Sequence, residues 1–404
     1  MLVLLLARQI RERYPILYIL SVSDRKDIFM SKQPKVRYFT SESVCAGHPD
    51  KICDAISDAI LDATLMQDPN SHTAIETIVG ANQICLFGEV KTKARVDYEK
   101  IVRGTIQELG YIVPAWGFSF ESKLTNGLHE QSNEINMGVE IDGAGDQGMM
   151  FGYACTDTTD LMPLPIALAH SIAKRIDEVR EKQEVNWLRP DGKTQVTIKY
   201  EDDVPVSIEK IVVAVAHKEE TPQQQVFADI VAHILEPVVS RYGYKLPKKA
   251  DIIVNGTGFW FIPGPESDAG LTGRKIVVDG YGGYARVGGG AFSGKDPSKV
   301  DRSGAYGARY IAKNIVARGL ADRCEVALAY VIGKPEPLMQ TISTFGTAHA
   351  SDEEIYQFKD KLLDTSVRGI INTLDLARPI YRQTAAYGHF GRSDFPWEAL
   401  AKAS

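Results

Sequence analysis

The pattern of apolar and polar positions predicts helices and strands interleaved along most of the chain. Between residues 52 and 65, apolar side chains recur every three or four positions, which is the spacing of a helix with one buried face. Between residues 194 and 200 they alternate with polar ones, as in a half-buried strand. Similar patterns predict further helices at 96–109, 161–181, 222–242, 303–318 and 353–363, and further strands at 73–79, 83–90, 208–216, 252–255, 275–279 and 325–332, while 39–44 is a short strand or the exit of one. Because no strict strand–helix–strand repeat emerges, the predicted fold class is α+β with mostly antiparallel or mixed sheets.

Three stretches lack such a pattern. Residues 187–193 are predicted to form a turn. Residues 117–143 are polar, and a connection of that length is typical of either a disordered segment or a lid over a functional site. Residues 1–30 hold a short apolar run followed by arginines, the reverse of the order in a secretory signal. We interpret them as a poorly packed N-terminal extension, with a short helix docked on the surface as the alternative.

Composition limits the classes of function. With 404 residues, of which 44% are hydrophobic and 24% charged, the chain is expected to form two or three compact units with a sizeable core. A formal net charge of −6 argues against non-specific nucleic-acid binding. The five cysteines are scattered and form no C-x-x-C pair, which favours a reducing compartment and a cytoplasmic location. The longest apolar runs are too short to span a membrane, so no membrane partner is expected.

Residues 288–301, GGGAFSGKDPSKVD, carry the densest candidate chemistry. Three successive glycines have no Cβ, so a large anion can approach their amides closely. Lys295 and Lys299 add positive charge, and Asp296 and Asp301 add carboxylates. Phosphate chains need amide donors and cations, and a hard cation such as Mg²⁺ needs oxygen ligands. The stretch therefore predicts a polyphosphate site with room for a metal ion.

The same stretch also fits most of the Walker A pattern, G-x-x-x-x-G-K, at residues 289–295. However, Asp296 stands where Ser or Thr should hold the metal, and Pro297 interrupts the chain before a helix can start. The predicted strand at 275–279 also lies well upstream, whereas a P-loop follows its strand directly. A true P-loop is therefore disfavoured. Taken alone, the stretch is also compatible with a flexible glycine turn carrying solvated lysines.

The first predicted helix begins beside a second candidate cluster, His48, Asp50 and Lys51, with Pro49 suited to its first position. Free amides and the helix dipole attract anions there, so these side chains are candidates for phosphate or metal binding. The alternative is a capped helix start with an exposed histidine. Further along the helix, aspartates recur at four-residue intervals and are interpreted as its solvated face: Asp54, Asp58 and Asp62.

Other polar groups stand out from their surroundings. Glu76 and Glu89 occur in or beside apolar strands, where a carboxylate is costly unless it is paired or used. Glycines frame Asp146 in the sequence GAGDQG at 143–148. A Gly- and Pro-rich loop carries aromatic rings that could stack on a purine or fold back on the core: Phe259, Trp260 and Phe261.

Four motifs together resemble the S-adenosylmethionine synthetase (methionine adenosyltransferase) family: GHPDK at 47–51, GAGDQG at 143–148, LTGRKIVVD at 271–279 and GGGAFSGKD at 288–296. The resemblance extends from Arg37 to Glu398. It implies three similar α+β subdomains around a pseudo-threefold axis, which we expect at 37–142, 143–264 and 265–398 after the extension at 1–36, with a lid at 117–143. It also implies a homodimer whose active sites are shared between the subunits, and a possible homotetramer.

The resemblance implies an unusual reaction between ATP and L-methionine. The methionine sulfur attacks C5′ of ATP and displaces the whole triphosphate, which is then cleaved to pyrophosphate and phosphate. Two Mg²⁺ ions and one K⁺ ion assist at each site. Because the nucleophile is the substrate's own sulfur, the first step needs no protein base. The leaving group is a highly charged anion, so its departure requires preorganised cations and hydrogen-bond donors.

The resemblance also implies roles for individual residues. The catalytic residues would be His48, Lys193, Arg274 and Lys295. The ATP and triphosphate contacts would be Glu42, His48, Asp146, Asp191, Lys193, Phe259, Trp260, Asp268, Arg274, Lys275, Ala291, Lys295 and Lys299. The methionine contacts would be Glu89, Met137, Asp268 and Lys299. Mg²⁺ would be held by Asp50 and Asp301, and K⁺ by Glu76.

The chain departs from the family pattern at several positions. The family usually has Glu, Gln, Arg and His where this chain has Ala46, Met137, Phe259 and Val287. Met137 would leave more apolar room at the methionine end of the site. One alternative function is a catalytically impaired ATP-binding relative or regulatory subunit, which would be expected to lose charged groups that this chain keeps. Another is a kinase or ATPase that uses the near-Walker stretch and leaves ADP.

Overall fold

The structure is a computed structural model that describes residues 34–130 and 143–402. Residues 1–33 of the N-terminal extension and residues 131–142 of the predicted lid, which include Met137, lie outside the described residues. The described chain folds into three sheets, each covered by helices on one face. Among the described residues, no helix is both long and apolar enough to cross a membrane.

The first sheet has the strand order β1-β6-β7-β8. Its strands are β1 (Val36–Val44), β6 (Leu188–Glu201), β7 (Val204–His217) and β8 (Ile252–Val254). The pairing is antiparallel except between β7 and β8. Strand β1 runs against β6 without a register shift, so that Val44 lies opposite Lys193. The N-terminal segment thus joins a sheet otherwise built from the middle of the chain.

Helix α3 (Leu164–Glu181) covers this sheet and buries its apolar face there. A second helical rod packs beside it and consists of α4 (Gln223–Asp229), a π-helical stretch (Ile230–Leu235) and α5 (Glu236–Arg241). The shared core contains Trp187, Val213 and Ile234, all buried.

The second sheet has the order β4-β3-β2-β9. Its strands are β2 (His72–Gly80), β3 (Gln83–Lys91), β4 (Lys123–His129) and β9 (Gly270–Leu271). Helices α1 (Pro49–Gln67) and α2 (Tyr98–Glu108) cover one face, and Ile56, Ile75 and Val102 are fully or almost fully buried between them. The opposite face leaves large apolar side chains exposed, including Ile78 and Phe87.

The third sheet has the order β11-β10-β5 and is entirely antiparallel. Its strands are β5 (Gly148–Cys155), β10 (Arg323–Tyr330) and β11 (Met339–Ser343). Helix α7 (Val300–Ala317) lies against it, with α8 (Asp352–Leu362) and α9 (Val367–Thr373) beyond. The Ser351 side chain and Glu354 form a capping box at the start of α8.

These sheets confirm the predicted α+β class with mixed and antiparallel sheets. In each sheet, one strand comes from a part of the chain distant from the other strands. It is β1 in the first sheet, β9 in the second and β5 in the third. Such exchanged strands tie the three regions together. The exact subdomain boundaries stay predictions.

Three local predictions were wrong. Residues 275–279 were expected to form a strand, but α6 (Ile276–Asp279) is one helical turn, because Asp279 is buried against Lys51 and its amide donates to Lys275. The turn expected at 187–193 is the irregular beginning of β6. Residues 123–129, where no regular structure was expected, form strand β4, paired in parallel with β3, while the role of 117–143 as a lid stays a prediction. In each case long-range pairing determines a conformation that local pattern does not predict.

Candidate active site

The site begins at the N-terminus of α1, where His48 is the N-cap. Its Nδ1 accepts a hydrogen bond from the Asp50 amide at 3.2 Å, and the side chain is almost fully buried. Burial, together with the charges of Lys275 and Lys193, lowers the pKa of His48 to about 3. The imidazole is therefore neutral near pH 7. Because Nδ1 accepts, the proton lies on Nε2, which is a hydrogen-bond donor.

Asp50 connects the start of α1 to the loop after β9. Its Oδ1 accepts the Leu271 amide at 3.0 Å, and its Oδ2 accepts from Lys275 Nζ at 2.5 Å. Arg274 Nε lies 4.0 Å from Oδ1. Burial alone would raise the pKa of Asp50, but the hydrogen bonds from Lys275 and Leu271 lower it. Asp50 is thus an ionised carboxylate among cationic side chains.

The aspartates interpreted from the sequence as a solvated face are not solvated, and that prediction was wrong. Asp54 and Asp58 are completely buried and Asp62 is half-buried. Asp54 accepts the Gly273 amide at 2.9 Å, Asp58 accepts the Gly294 amide at 2.8 Å, and Asp62 accepts the Tyr381 amide at 2.9 Å. Each carboxylate ties a different loop to α1. Together with Asp50, they form one acidic stripe at four-residue spacing.

Asp58 makes the strongest of these connections. Its two oxygens accept from the Arg302 guanidinium at 2.7 and 3.0 Å, and both side chains are fully buried. Arg302 lies in the first turns of α7, and its Nη1 also donates to the Lys295 carbonyl at 3.2 Å. The pair therefore fixes the loop at 288–299, called here the glycine–lysine loop, against both α1 and α7.

Two glycines in that loop are required by space. An added Cβ at Gly290 would lie 2.0 Å from Asp301 Cγ. Gly294 has φ +81° and an added Cβ there would lie 2.0 Å from the Ile75 carbonyl oxygen. The Ile75 amide donates to the Gly294 carbonyl at 3.1 Å, so the loop runs against the edge of β2. At Gly294 the backbone therefore follows a path that only glycine takes readily, whereas a Cβ at Gly290 would displace the Asp301 carboxylate.

The loop's charged side chains separate into two pairs. Lys295 Nζ lies 2.5 Å from Asp301 Oδ2, and both side chains are partly exposed. Lys299 Nζ instead donates to Asp296 at 3.0 Å, and both are buried. Burial would raise the pKa of Asp296, but Lys299 and neighbouring donors hold it far below its usual value. Asp296 and Lys299 therefore brace the loop from inside, whereas Lys295 and Asp301 pair with each other where solvent reaches them.

The glycine motifs meet at this point. An added Cβ at Gly273 would lie 2.3 Å from Ala291 Cβ, so the loop carrying Arg274 touches the glycine–lysine loop. The Gly145 amide donates to the Ser298 carbonyl at 3.1 Å, which attaches GAGDQG to the same loop. Asp146 follows directly and is half-buried. Segments distant in sequence are thus brought to the starts of α1 and α7.

Strand β6 brings two further predicted residues to the start of α1. Lys193 is exposed, and its charge contributes to the lowered pKa of His48. Asp191 is buried, and its Oδ2 accepts the Gly264 amide at 2.8 Å, while its Oδ1 has no hydrogen-bond partner among the described residues. Burial raises the pKa of Asp191 to about 7. Glu42 is exposed on neighbouring β1, opposite Gln195.

Tyr111 is a positioning residue that sequence reasoning missed. Its hydroxyl, which is fully buried, lies 2.6 Å from the Gly47 carbonyl and 3.1 Å from the Pro190 carbonyl, and can donate to either. An added Cβ at Gly47 would lie 1.7 Å from that Pro190 oxygen. Tyr111 thus fixes the segment before His48 against the segment before Lys193. An isolated tyrosine belongs to no motif, so the sequence carries no signal for it.

The aromatic loop both folds back and leaves a ring exposed. Phe259 stacks on Phe261 with ring centres 4.9 Å apart, and Phe261 packs against His217 at 5.2 Å. Trp260 Nε1 donates to the Ile262 carbonyl at 2.7 Å. Phe259 remains 63% exposed and could stack on a ligand. Asp268 is exposed at the far end of this loop.

The two glutamates lie on the outer face of the second sheet, away from α1. Glu76 is exposed. On either side of it along β2, Ala74 forms a backbone β-bridge with Lys295, and Ile78 pairs with Leu271. Glu89 lies opposite Ala74, and its nearest ionic neighbour in the described chain is His129 at 3.9 Å. No described hydrogen bond or ion pair joins either glutamate to the cluster at α1.

The assembled cluster suits a polyanionic ligand. Lys193, Arg274, Lys275 and Lys295 supply positive charge, and His48 supplies a neutral donor. Within residues 34–130 and 143–402, no group of three or more His, Cys, Asp or Glu side chains could by itself hold a metal ion. Asp50 and Asp301 are the carboxylates closest to the cations, and each is paired with a lysine.

Comparison with protein families gives three matches in succession along the chain. The N-terminal domain of S-adenosylmethionine synthetase matches residues 36–133. The central domain of the same enzyme matches residues 141–260, and its C-terminal domain matches residues 262–399. The matches therefore cover nearly the whole described chain, including every loop of the cluster.

Proposed function

The chain belongs to the S-adenosylmethionine synthetase family, and from that premise we propose that it makes S-adenosylmethionine from ATP and L-methionine. The methionine sulfur attacks C5′, the C5′–O bond breaks, and the whole triphosphate leaves. The triphosphate is then hydrolysed to pyrophosphate and phosphate. This makes the protein a methionine adenosyltransferase, and a cytoplasmic location remains a prediction.

The observation that carries this proposal is the placement of cations around one neutral histidine. In the displacement, negative charge grows on the 5′ oxygen of the triphosphate, and groups already aimed at that oxygen stabilise it most. His48 Nδ1 accepts a hydrogen bond from the Asp50 amide, so the neutral ring carries its hydrogen on Nε2. That Nε2–H would donate to the 5′ oxygen. Lys193, Arg274, Lys275 and Lys295 would line the phosphates. The sulfur is already a nucleophile, so no base is needed for this step.

The carboxylates fit the proposed metal ions. Mg²⁺ in phosphate-transfer sites is usually held by one or two carboxylates together with substrate oxygens and water. Asp50 and Asp301 are such carboxylates, and in the described chain their lysine partners neutralise them. We propose that each contributes to one Mg²⁺ site and that the exposed Glu76 contributes to a K⁺ site. Bound cations would neutralise charge on the triphosphate oxygens.

We propose that the second sheet's outer face meets another copy of the chain. Glu76 and Glu89 lie on that face beside Ile78 and Phe87, which are 41% and 46% exposed. Apolar side chains of this size on a flat sheet favour burial against a partner. Burial there would enclose Glu76 and Glu89, the proposed K⁺ and methionine contacts, so each site would be completed in the homodimer.

Product analysis tests the proposed reaction. The protein is incubated with ATP, L-methionine, Mg²⁺ and K⁺, and nucleotides, phosphates and sulfonium products are separated. We expect S-adenosylmethionine together with equal amounts of phosphate and pyrophosphate, all dependent on methionine. ADP without a sulfonium product would support a kinase or ATPase instead. ATP binding without turnover would support the impaired relative or regulatory subunit.

A further inference from the structure

A small cavity on the first sheet's helical layer is separate from the candidate active site. Its volume is about 170 Å³, and none of its lining residues belongs to the cluster around His48. One wall is a stripe of α3 that runs from Ala167 to Glu178 at three- and four-residue spacing. The C-terminal end of α5 and the tail at 387–392 complete it.

The cavity has an excess of positive charge. Four cationic side chains line it, and the carboxylates that line it are Asp160 and Glu178. The cationic residues are Lys174, Arg175, Arg241 and Arg392. Burial lowers the pKa of His170 to about 3, so this histidine is neutral and adds no charge. Four cations and two carboxylates therefore give the lining a net charge of about +2. Such an excess favours an anionic ligand.

Two of these cations are uncommitted. Arg175 is held by Glu184 at 2.7 Å and lies 3.7 Å from Glu178. Lys174 and Arg241, by contrast, are exposed and make no hydrogen bond or ion pair within the described residues. Their charges are therefore free to contact a ligand from the cavity mouth.

The inner wall contains one guanidinium nitrogen whose hydrogen-bonding capacity is not met by the described residues. Arg392 donates through Nη2 to the Gln383 carbonyl at 2.6 Å, but its Nε is buried without a partner among the described residues. His170 is 7% exposed; its Nδ1 bonds Ser43 Oγ at 2.8 Å, and its Nε2 lies beside Gly388 and interacts with the Val278 backbone, neither of which lines the cavity. Buried donors of this kind normally have a partner, which here could be a ligand or water.

Hydroxyl groups complete the lining. Ser171 Oγ and Tyr242 OH lie 2.9 Å apart, and both belong to the cavity wall. Hydroxyls, guanidinium groups and ammonium groups are the donors that bind phosphate oxygens. The volume admits a small tetrahedral anion with water but is too small for a nucleotide. We propose that this cavity is a second anion site, which binds inorganic phosphate as the dianion. This proposal does not depend on the reaction proposed above.

The test is equilibrium dialysis of the full chain with radiolabelled inorganic phosphate, at constant ionic strength set with chloride. Because phosphate would also bind the candidate active site, the variants must distinguish the two. Lys174→Gln with Arg241→Gln removes the exposed cations of the cavity, and Lys295→Gln weakens the candidate active site. Lys182→Gln, an exposed lysine at the end of α3 that does not line the cavity, is the matched control.

We expect the wild type and Lys182→Gln to bind phosphate at two classes of site. The double variant should lose one class, with binding weakened at least about tenfold, because charge-assisted hydrogen bonds are removed. Lys295→Gln should retain that class and lose the other. The proposal is overturned if the double variant binds phosphate like the wild type, or if Lys182→Gln weakens binding equally.

Discussion

Replacing Asp58 by Asn should strongly destabilise the protein, although it changes one atom in the middle of a helix. Asp58 and Arg302 are both fully buried, with two hydrogen bonds of 2.7 and 3.0 Å between them. Asn keeps the shape and an acceptor for the Gly294 amide, but leaves the guanidinium charge without a counter-charge. Removing one partner of a buried ion pair typically costs about 3–5 kcal/mol. We expect a loss in that range.

The assay is urea unfolding at one fixed protein concentration, with an exposed ion pair as the control. Arg103 Nε lies 2.8 Å from Glu99 on α2, a distance close to those in the buried pair, but the Glu99 side chain is 63% exposed and the Arg103 side chain 31% exposed. Glu99→Gln should therefore cost at most about 0.5 kcal/mol. In a double-mutant cycle, Asp58→Asn and Arg302→Met should couple by about 1–3 kcal/mol. A loss below about 1 kcal/mol for Asp58→Asn would refute the role of this pair.

Three further predictions concern the site. Gly290→Ala should reduce turnover at least about tenfold with little effect on unfolding, because its Cβ would lie 2.0 Å from Asp301 Cγ. Steady-state kinetics against Mg²⁺ concentration would measure the change. Wild-type turnover would contradict the prediction. Asp191 has a folded pKa of about 7, above its unfolded value, so its stabilising contribution is present below pH 4 and is lost as the pH rises through 7. Asp191→Asn should therefore gain stability relative to wild type at pH 8 and not at pH 4, measured by thermal unfolding; equal effects at both pH values would contradict the burial of that carboxyl. Tyr111→Phe should lower the free energy of unfolding by about 1–2 kcal/mol and raise KM for ATP, because the Gly47 and Pro190 carbonyls lose their shared donor. The control is Tyr98→Phe, because the Tyr98 hydroxyl makes no described hydrogen bond. Equal effects of the two substitutions would contradict the positioning role of Tyr111.

Much of the architecture could be predicted from local pattern. The apolar spacing of α1 and α3 and the alternation in β6 are strong signals, because a helix or strand with one buried face must repeat with its own period. The glycine motifs also identified the loops of the site, since positions such as Gly294 leave no space for a side chain. Which strands pair with each other could not be predicted from the sequence. Nothing in residues 36–44 indicates that they pair with 193–201.

The acidic stripe on α1 shows most clearly why the remainder of the site could not be predicted. Aspartates at four-residue spacing are usually solvated, and their partners lie more than two hundred residues away in the chain, as with Gly273, Gly294 and Arg302. One signal was available: the stripe continues the line of Asp50, which the helix start had already marked as functional. The lysines divide for the same reason, since only the fold determines that Lys299 pairs with Asp296 and Lys295 with Asp301.

The central claim is that the C5′–O bond of ATP breaks and that the phosphates leave together. Its most direct test uses ATP labelled with oxygen-18 in the bridge between C5′ and the α phosphorus, incubated with methionine, Mg²⁺ and K⁺. Mass spectrometry of the products then locates the label. Attack at C5′ predicts that the label leaves with the triphosphate, is recovered in its hydrolysis products phosphate and pyrophosphate, and is absent from the S-adenosylmethionine. Label that remains on adenosine, AMP or ADP would mean cleavage at phosphorus and would contradict the proposed reaction.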